Sequence, residues 1–133
     1  FHNLYGQFQL TDKLGLIAGL DIGAQQAAKG SSRYDTWYSP VLIARYALSD
    51  KVAIAGRVEY YSDEGEVIVA TGTPNGFQTF GYSVNLDVQV REQVLWRVEG
   101  RVLDSNRDAI FTDADGNPTA RNYFVGTSLS IEF

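Results

Sequence analysis

The stretch "VLWRVEGRVLDS", residues 94–105, carries two unlike sets of side chains. Val94, Trp96, Val98, Gly100 and Val102 are uncharged. Between them stand Leu95, Arg97, Glu99, Arg101 and Leu103, with three charges in succession. A period of two belongs to a β-strand, because successive side chains leave the pleated backbone on opposite sides. One face of this strand suits water or fixed counter-charges, and the other suits an apolar medium.

The same alternation recurs along the chain. Uncharged faces read Leu4, Gly6, Phe8, Leu10; then Leu14, Leu16, Ala18, Leu20, Ile22; then Leu42, Ala44, Tyr46, Leu48. Further on they read Val52, Ile54, Gly56, Val58, Tyr60; then Phe80, Tyr82, Val84, Leu86, Val88, Val90; and last Tyr123, Val125, Thr127, Leu129, Ile131, Phe133. With residues 94–105 these make seven segments. The opposite faces hold Asn3, Gln7 and Gln9, Asp21, Arg45, Arg57 and Glu59, Ser83, Asn85, Asp87 and Gln89, and Ser128, Ser130 and Glu132. The persistent period and the many β-branched and aromatic residues argue against helix.

Connections fall into two classes. "TDK" (11–13), "SDK" (49–51) and "REQ" (91–93) have tight-hairpin length. The stretches near 26–35, 63–76 and 105–121 are long and rich in turn formers, as in "GSS", "TGTPNG" and "DADGNP". Short and long alternate, which is the layout of an up-and-down meander with its long loops at one end. A three-residue turn at "REQ" sets Asp87 opposite Arg97 and Asn85 opposite Glu99; one at "SDK" sets Leu48 opposite Val52 and Tyr46 opposite Ile54. Like faces then meet like faces.

Bulk composition narrows the field. The chain has 133 residues, 11 Lys+Arg against 16 Asp+Glu and a net charge of -5, so the basic stripe of a nucleic-acid binder is not expected. Cysteine is absent, which removes disulfides and thiolate metal sites. No run approaches the ~18 apolar residues of a membrane helix. The chain opens on Phe1 without a methionine, as a mature, trimmed or partial chain does.

Alternation alone is compatible with a soluble lipocalin-like ligand-binding barrel, apolar face inward. Three features favour the inverse arrangement in lipid. Lys13, Lys29 and Lys51 all fall in turns, leaving Arg, Glu and Asp on the strands, where a crowded interior can pair them. Tyr60, Phe80, Tyr82, Tyr123 and Phe133 lie near segment ends, where aromatic girdles sit in membrane barrels. The chain also closes on "FVGTSLSIEF", a strand with a terminal aromatic.

That ending resembles the sorting signal that the barrel-assembly machinery reads in Gram-negative outer-membrane proteins. Gly126, Leu129, Ile131 and Phe133 match its spacing, while Phe124 stands where the signal carries a polar residue. Beyond it, "YSPVLIARYALSDKVAIAGRVEYYSDEG" and "GFQTFGYSVNLDVQV…VLWRVEGRVLDS" resemble the C-terminal half of OmpL-like β-barrel porins, over most of residues 37–133; residues 1–25 fit by pattern alone. The resemblance implies an all-β, transmembrane, antiparallel up-and-down barrel in a bacterial outer membrane that passes small hydrophilic solutes passively.

Seven segments do not make the even strand count of bacterial single-chain barrels. Residues 1–133 are therefore expected to be a single barrel domain or the C-terminal part of a larger, even-stranded one. "EVIVATG" (66–72) is read as prolonging an outer hairpin.

Arg45, Arg57, Glu59, Asp87, Arg97, Glu99 and Arg101 are the candidate lumen lining, either screening solutes or plugging a narrow barrel with ion pairs. Catalysis is not expected: the one histidine, His2, reads as a loop or lumen residue. Asp113, Asp115 and Asn117 in "DADGN" resemble a calcium loop, but Gly116 is misplaced and no bidentate Glu follows, so a plain turn is expected. "RDAIF" and "EVIVA" are apolar enough to fold over a mouth or touch a partner, with local packing the plainer account. No cofactor or metal is expected. The expected partners are outer-membrane lipid, the assembly machinery, and other chains that complete the barrel or form a homo-oligomer. The alternative to a porin is a structural or interaction subunit of an outer-membrane complex.

Overall fold

The computed structural model describes residues 1–105 and 108–133. Strands β1 (His2–Gln9), β2 (Leu14–Gln26), β3 (Tyr34–Ala47), β4 (Val52–Asp63), β5 (Phe77–Arg91) and β6 (Val94–Asp104) follow one another. A small hairpin, β7 (Phe111–Thr112) with β8 (Pro118–Thr119), precedes β9 (Arg121–Ile131). The main sheet has seven strands in the order β1-β2-β3-β4-β5-β6-β9, and every neighbour is antiparallel. The fold is an all-β up-and-down meander, as the alternation requires.

Turn chemistry sets the register. Thr11 Oγ1 accepts hydrogen bonds from the amides of Lys13 (3.2 Å) and Leu14 (3.0 Å), and Ser49 Oγ does the same for Lys51 (3.3 Å) and Val52 (3.1 Å). A hydroxyl at the head of each turn thus replaces the ladder where the chain reverses. Tyr46 stands opposite Ile54, and the Leu48 amide donates to the Val52 carbonyl at 2.8 Å. The third turn differs from expectation. Arg91 belongs to β5 and pairs with Val94, so Glu92 and Gln93 alone make the reversal, and a bulge between Gln89 and Arg91 absorbs the extra residue. Above the bulge Asp87 faces Arg97 and Asn85 faces Glu99, as the spacing demands.

Which side meets what is decided by exposure. Leu86 is 40% and Trp96 41% exposed, whereas Asp87, between neighbours on the same strand, is 4% exposed. Val84, Val125 and Leu129 are exposed too, while Ala53, Ala55 and Ser83 are buried. Among the described residues no second layer covers the polar side. The sheet must therefore curl around it, so that its own side chains shelter one another.

The long loop after β4 is compact rather than extended. Asp63 is fully buried, and its carboxylate accepts from the amides of Val67 (2.7 Å), Ile68 (2.7 Å) and Val69 (2.9 Å). Residues 66–72 accordingly wrap around Asp63 and do not prolong a hairpin. Glu66, at φ 52°, turns the chain and accepts from Thr71 Oγ1 and from the amides of Thr71 and Gly72. Asn75 Nδ2 donates to Asp108 Oδ2 at 3.0 Å, tying this loop to the next. Of "RDAIF", Arg107 lies outside the described residues.

The sheet is not closed. Among the described residues β1 and β9 each keep one free edge, and both run from the long-loop end to the tight-turn end. Closing it as an antiparallel barrel takes an odd number of further strands between them.

Candidate functional site

The polar side is built around two carboxylates that reach across strands. Asp87 on β5 takes a bidentate pair from Arg97 on β6, Nε to Oδ1 at 2.6 Å and a terminal nitrogen to Oδ2 at 2.8 Å. Asn85 Nδ2 donates to Asp87 Oδ1 at 2.7 Å. On the other flank Asp87 faces Ala53, whose methyl leaves room for Arg45 to come over β4 from β3, its Nε 4.0 Å from Oδ2. Alternate strands lie ~9.5 Å apart in a flat sheet, so this reach depends on a small residue between and on curvature.

Glu59 repeats the arrangement nearer the loops. It pairs with Arg57 on its own strand and with Arg101 on β6, across β5. Gly81 stands opposite Glu59 and makes the crossing possible: a Cβ there would lie 2.5 Å from Glu59 Oε1 and 2.7 Å from its Cγ. Glu99 lies on β6 between Arg97 and Arg101, opposite Asn85 and Gly126. All seven residues expected to line an interior therefore share one side of β3–β6, and six of them gather into two clusters with two guanidiniums to each carboxylate. These pairs are partly solvated, so each contributes about 1 kcal/mol at most. Their consequence is order in the wall.

Other sequence expectations divide. Leu129 and Ile131 project from the apolar side of β9, whereas Phe133, expected as the strand's terminal aromatic, lies two residues beyond its end at Ile131. Gly126 faces the polar side with Phe124 laid over it, and a Cβ on Gly126 would lie 2.9 Å from the Phe124 ring. His2 is neither in a loop nor on the polar side, because it pairs with Ile22 in β1 and shares the side of Leu4. In "DADGN" the Asp113 carboxylate accepts from the amides of Asp115 (3.0 Å) and Asn117 (2.8 Å), so it closes the β7–β8 turn. These bonds, chiefly the Asn117 amide, hold the Asp113 carboxyl below its ordinary value. The aromatic band at the loop end includes Tyr38, which the alternation did not single out. Tyr38, Tyr60, Phe80 and Tyr82 follow one another on the apolar side, with ring centroids 6.0, 4.5 and 6.2 Å apart. At the other end Trp96 Nε1 donates to Thr127 Oγ1 at 2.7 Å, so the indole faces outward with its donor satisfied.

Two features of the polar side were missed. Through the middles of β2 and β3 it is apolar, carrying Ile17, Gly19, Val41 and Ile43 between Arg45 at one end and Asp21 and Ser39 at the other. At the loop end it holds a row of aromatics: Phe1 on Trp37 (5.5 Å, 18° between planes), Trp37 on Tyr61 (6.1 Å, 16°), and Tyr61 against the edge of Phe77 (5.5 Å, 71°). Parity could have found them, since Trp37 has the parity of Arg45 and Tyr61 that of Glu59.

A curled antiparallel meander, apolar outside and with carboxylates sheltered inside beneath partly solvated arginines, is the wall of a membrane β-barrel of porin type. A soluble barrel, which would bury Leu86 and Trp96, is thereby set aside. The family model described as "Putative beta-barrel porin-2, OmpL-like" matches residues 1–133. The chain belongs to this family of porin-like outer-membrane proteins, and the match takes in residues 1–25, for which pattern alone had spoken. No curated protein and no solved structure matches the chain.

Proposed function

We propose that the protein sits in the bacterial outer membrane and lets small hydrophilic solutes cross passively, with no catalytic step and no cofactor. The observation that carries this reading is the segregation of charge. Arg45, Arg57, Arg97 and Arg101 sit with Glu59 and Asp87 on the sheltered side, against an outer side of Val, Leu, Ile and aromatics. Fixed charges on an enclosed wall order water and sort solutes by size and sign. Outer-membrane lipid covers the other side, and the assembly machinery reads the end of the chain through Leu129 and Ile131 of β9 and Phe133 beyond it.

Reconstitution in planar bilayers tests this. Stepwise conductance is expected, and Arg97→Glu shifts its preference toward cations by replacing the partner of Asp87 with a second anion. Unchanged selectivity would remove this set from the pore. A closed scaffold within an envelope complex is the second reading, favoured by the mutual pairing of the arginines with Asp87 and Glu59. Folded protein that gives no conductance steps would select it.

A further inference from the structure

We propose that the polar side carries, at its long-loop end, a stacking site for saccharide rings formed by Phe1, Trp37, Tyr61 and Phe77. The inference rests on reading that side as a porin lumen and names the solute class that the lumen would take. Three observations carry it.

The first is the tiling of the rings. Trp37 stands opposite Gly23, where a Cβ would lie 2.5 Å from the indole Nε1 and 2.6 Å from Cε2. The indole therefore lies flat across β2, and only glycine permits it. Phe1, Trp37 and Tyr61 are nearly parallel, and Phe77 meets Tyr61 edge-on. The outcome is a strip of aromatic faces rather than a packed knot.

The second is its place. β2 ends at Gln26, β3 begins at Tyr34 and β5 begins at Phe77, so the strip lies where a solute entering from the loops first meets the wall. Aromatic rings that only served the membrane interface belong on the other side, where Tyr38, Tyr60, Phe80 and Tyr82 already stand.

The third is what borders it. One rung deeper, Asn3, Asp21 and Ser39 face one another, with Asn3 Nδ2 donating to Asp21 Oδ1 at 2.5 Å. A pyranose has apolar C–H faces and a rim of hydroxyls. It would lay the first on the rings and offer the second to this amide, carboxylate and hydroxyl. A planar aromatic anion would need a cation there; Arg33 at the loop end is taken up by Asp35 at 3.0 Å, and the arginine clusters lie deeper.

The test uses maltohexaose on the purified protein in planar bilayers. Saturable interruption of the ionic current is expected. Trp37→Ala should weaken it by roughly tenfold or more, while Trp37→Phe, which keeps a ring, should retain most of it; heat-modifiable gel mobility confirms folding of each. Conducting channels that maltohexaose leaves undisturbed overturn the proposal while the porin reading stands. A second measurement does not need conduction. In Trp96→Phe protein in detergent, Trp37 is the chain's remaining tryptophan, and its emission should change saturably with maltohexaose, more weakly after Tyr61→Ala. That response in a protein without conductance keeps the site and removes the pore. No response, or an equal response to p-nitrophenol alone, overturns the saccharide site.

Discussion

Placing one arginine on either side of β5 measures what each side faces. Val84 is the eighth of the strand's fifteen residues, is 56% exposed, and stands between Gly56 and Gly100. Added Cβ atoms on those glycines would meet nothing within 4 Å, so a larger side chain at 84 has room and adds no clash. At ~3.4 Å per residue and ~40° of tilt, β5 spans about 39 Å of membrane normal, with Val84 at the centre of an apolar band about 25 Å tall. Val84→Arg should then destabilise folding into vesicles by about 2–4 kcal/mol. Val90→Arg, some 16 Å toward the tight turns, should cost about 0–1 kcal/mol. Asn85→Arg points the same charge at Glu99 on β6, loses the bond from Asn85 to Asp87, and should stay within about 1 kcal/mol of the parent. The assay is urea-dependent folding into phosphatidylcholine vesicles, followed by tryptophan emission. If Val84→Arg is neutral, the exposed side does not meet hydrocarbon. If Asn85→Arg is the costlier change, the two sides have been assigned backwards.

Gly81→Ala should lower stability by about 1 kcal/mol, because the new methyl displaces Glu59 from Arg101; in a Glu59→Ala background the same change should be nearly silent, and a double-mutant cycle reads the difference. Asp63→Asn replaces a fully buried triple acceptor with a group that also donates, so the 64–76 loop should open at a cost of about 1–3 kcal/mol and be cut faster by protease. The Thr71 hydroxyl first, then the Thr71 and Gly72 amides, hold the Glu66 carboxyl below its ordinary 4.5. The folded loop thus binds fewer protons than the unfolded one. Its Glu66-dependent order should be complete above about pH 4.5 and fade as pH falls through the depressed folded value, read as faster amide exchange at Thr71 and Gly72.

Much of the wall could be read from residue order because a strand's two faces are a local property. Asp87 opposite Arg97 followed from turn length, and the bulge between Gln89 and Arg91 spared it by falling below the pair. Trp37 escaped notice because its segment was entered at Leu42, past the strand's true start at Tyr34. The apolar patch of Ile17, Val41 and Ile43 escaped because β2 and β3 are uncharged on both sides through their middles, where period two carries no contrast. Asp63 gave no local signal, since its three amide donors come from a loop that folds back on it.

Alternation, turn hydroxyls and loop lengths, all short-range, were enough to specify seven strands, their order and the partition of charge to one side. Only the tertiary structure decided which side is sheltered, because inside and outside are properties of a curved sheet and not of any strand in it. It alone also brought Glu59 to Arg101 over Gly81, and Trp37 to Phe1 over Gly23. Contacts that skip a strand arise from curvature and from the missing side chain between, and neither is visible in the spacing of the partners along the chain.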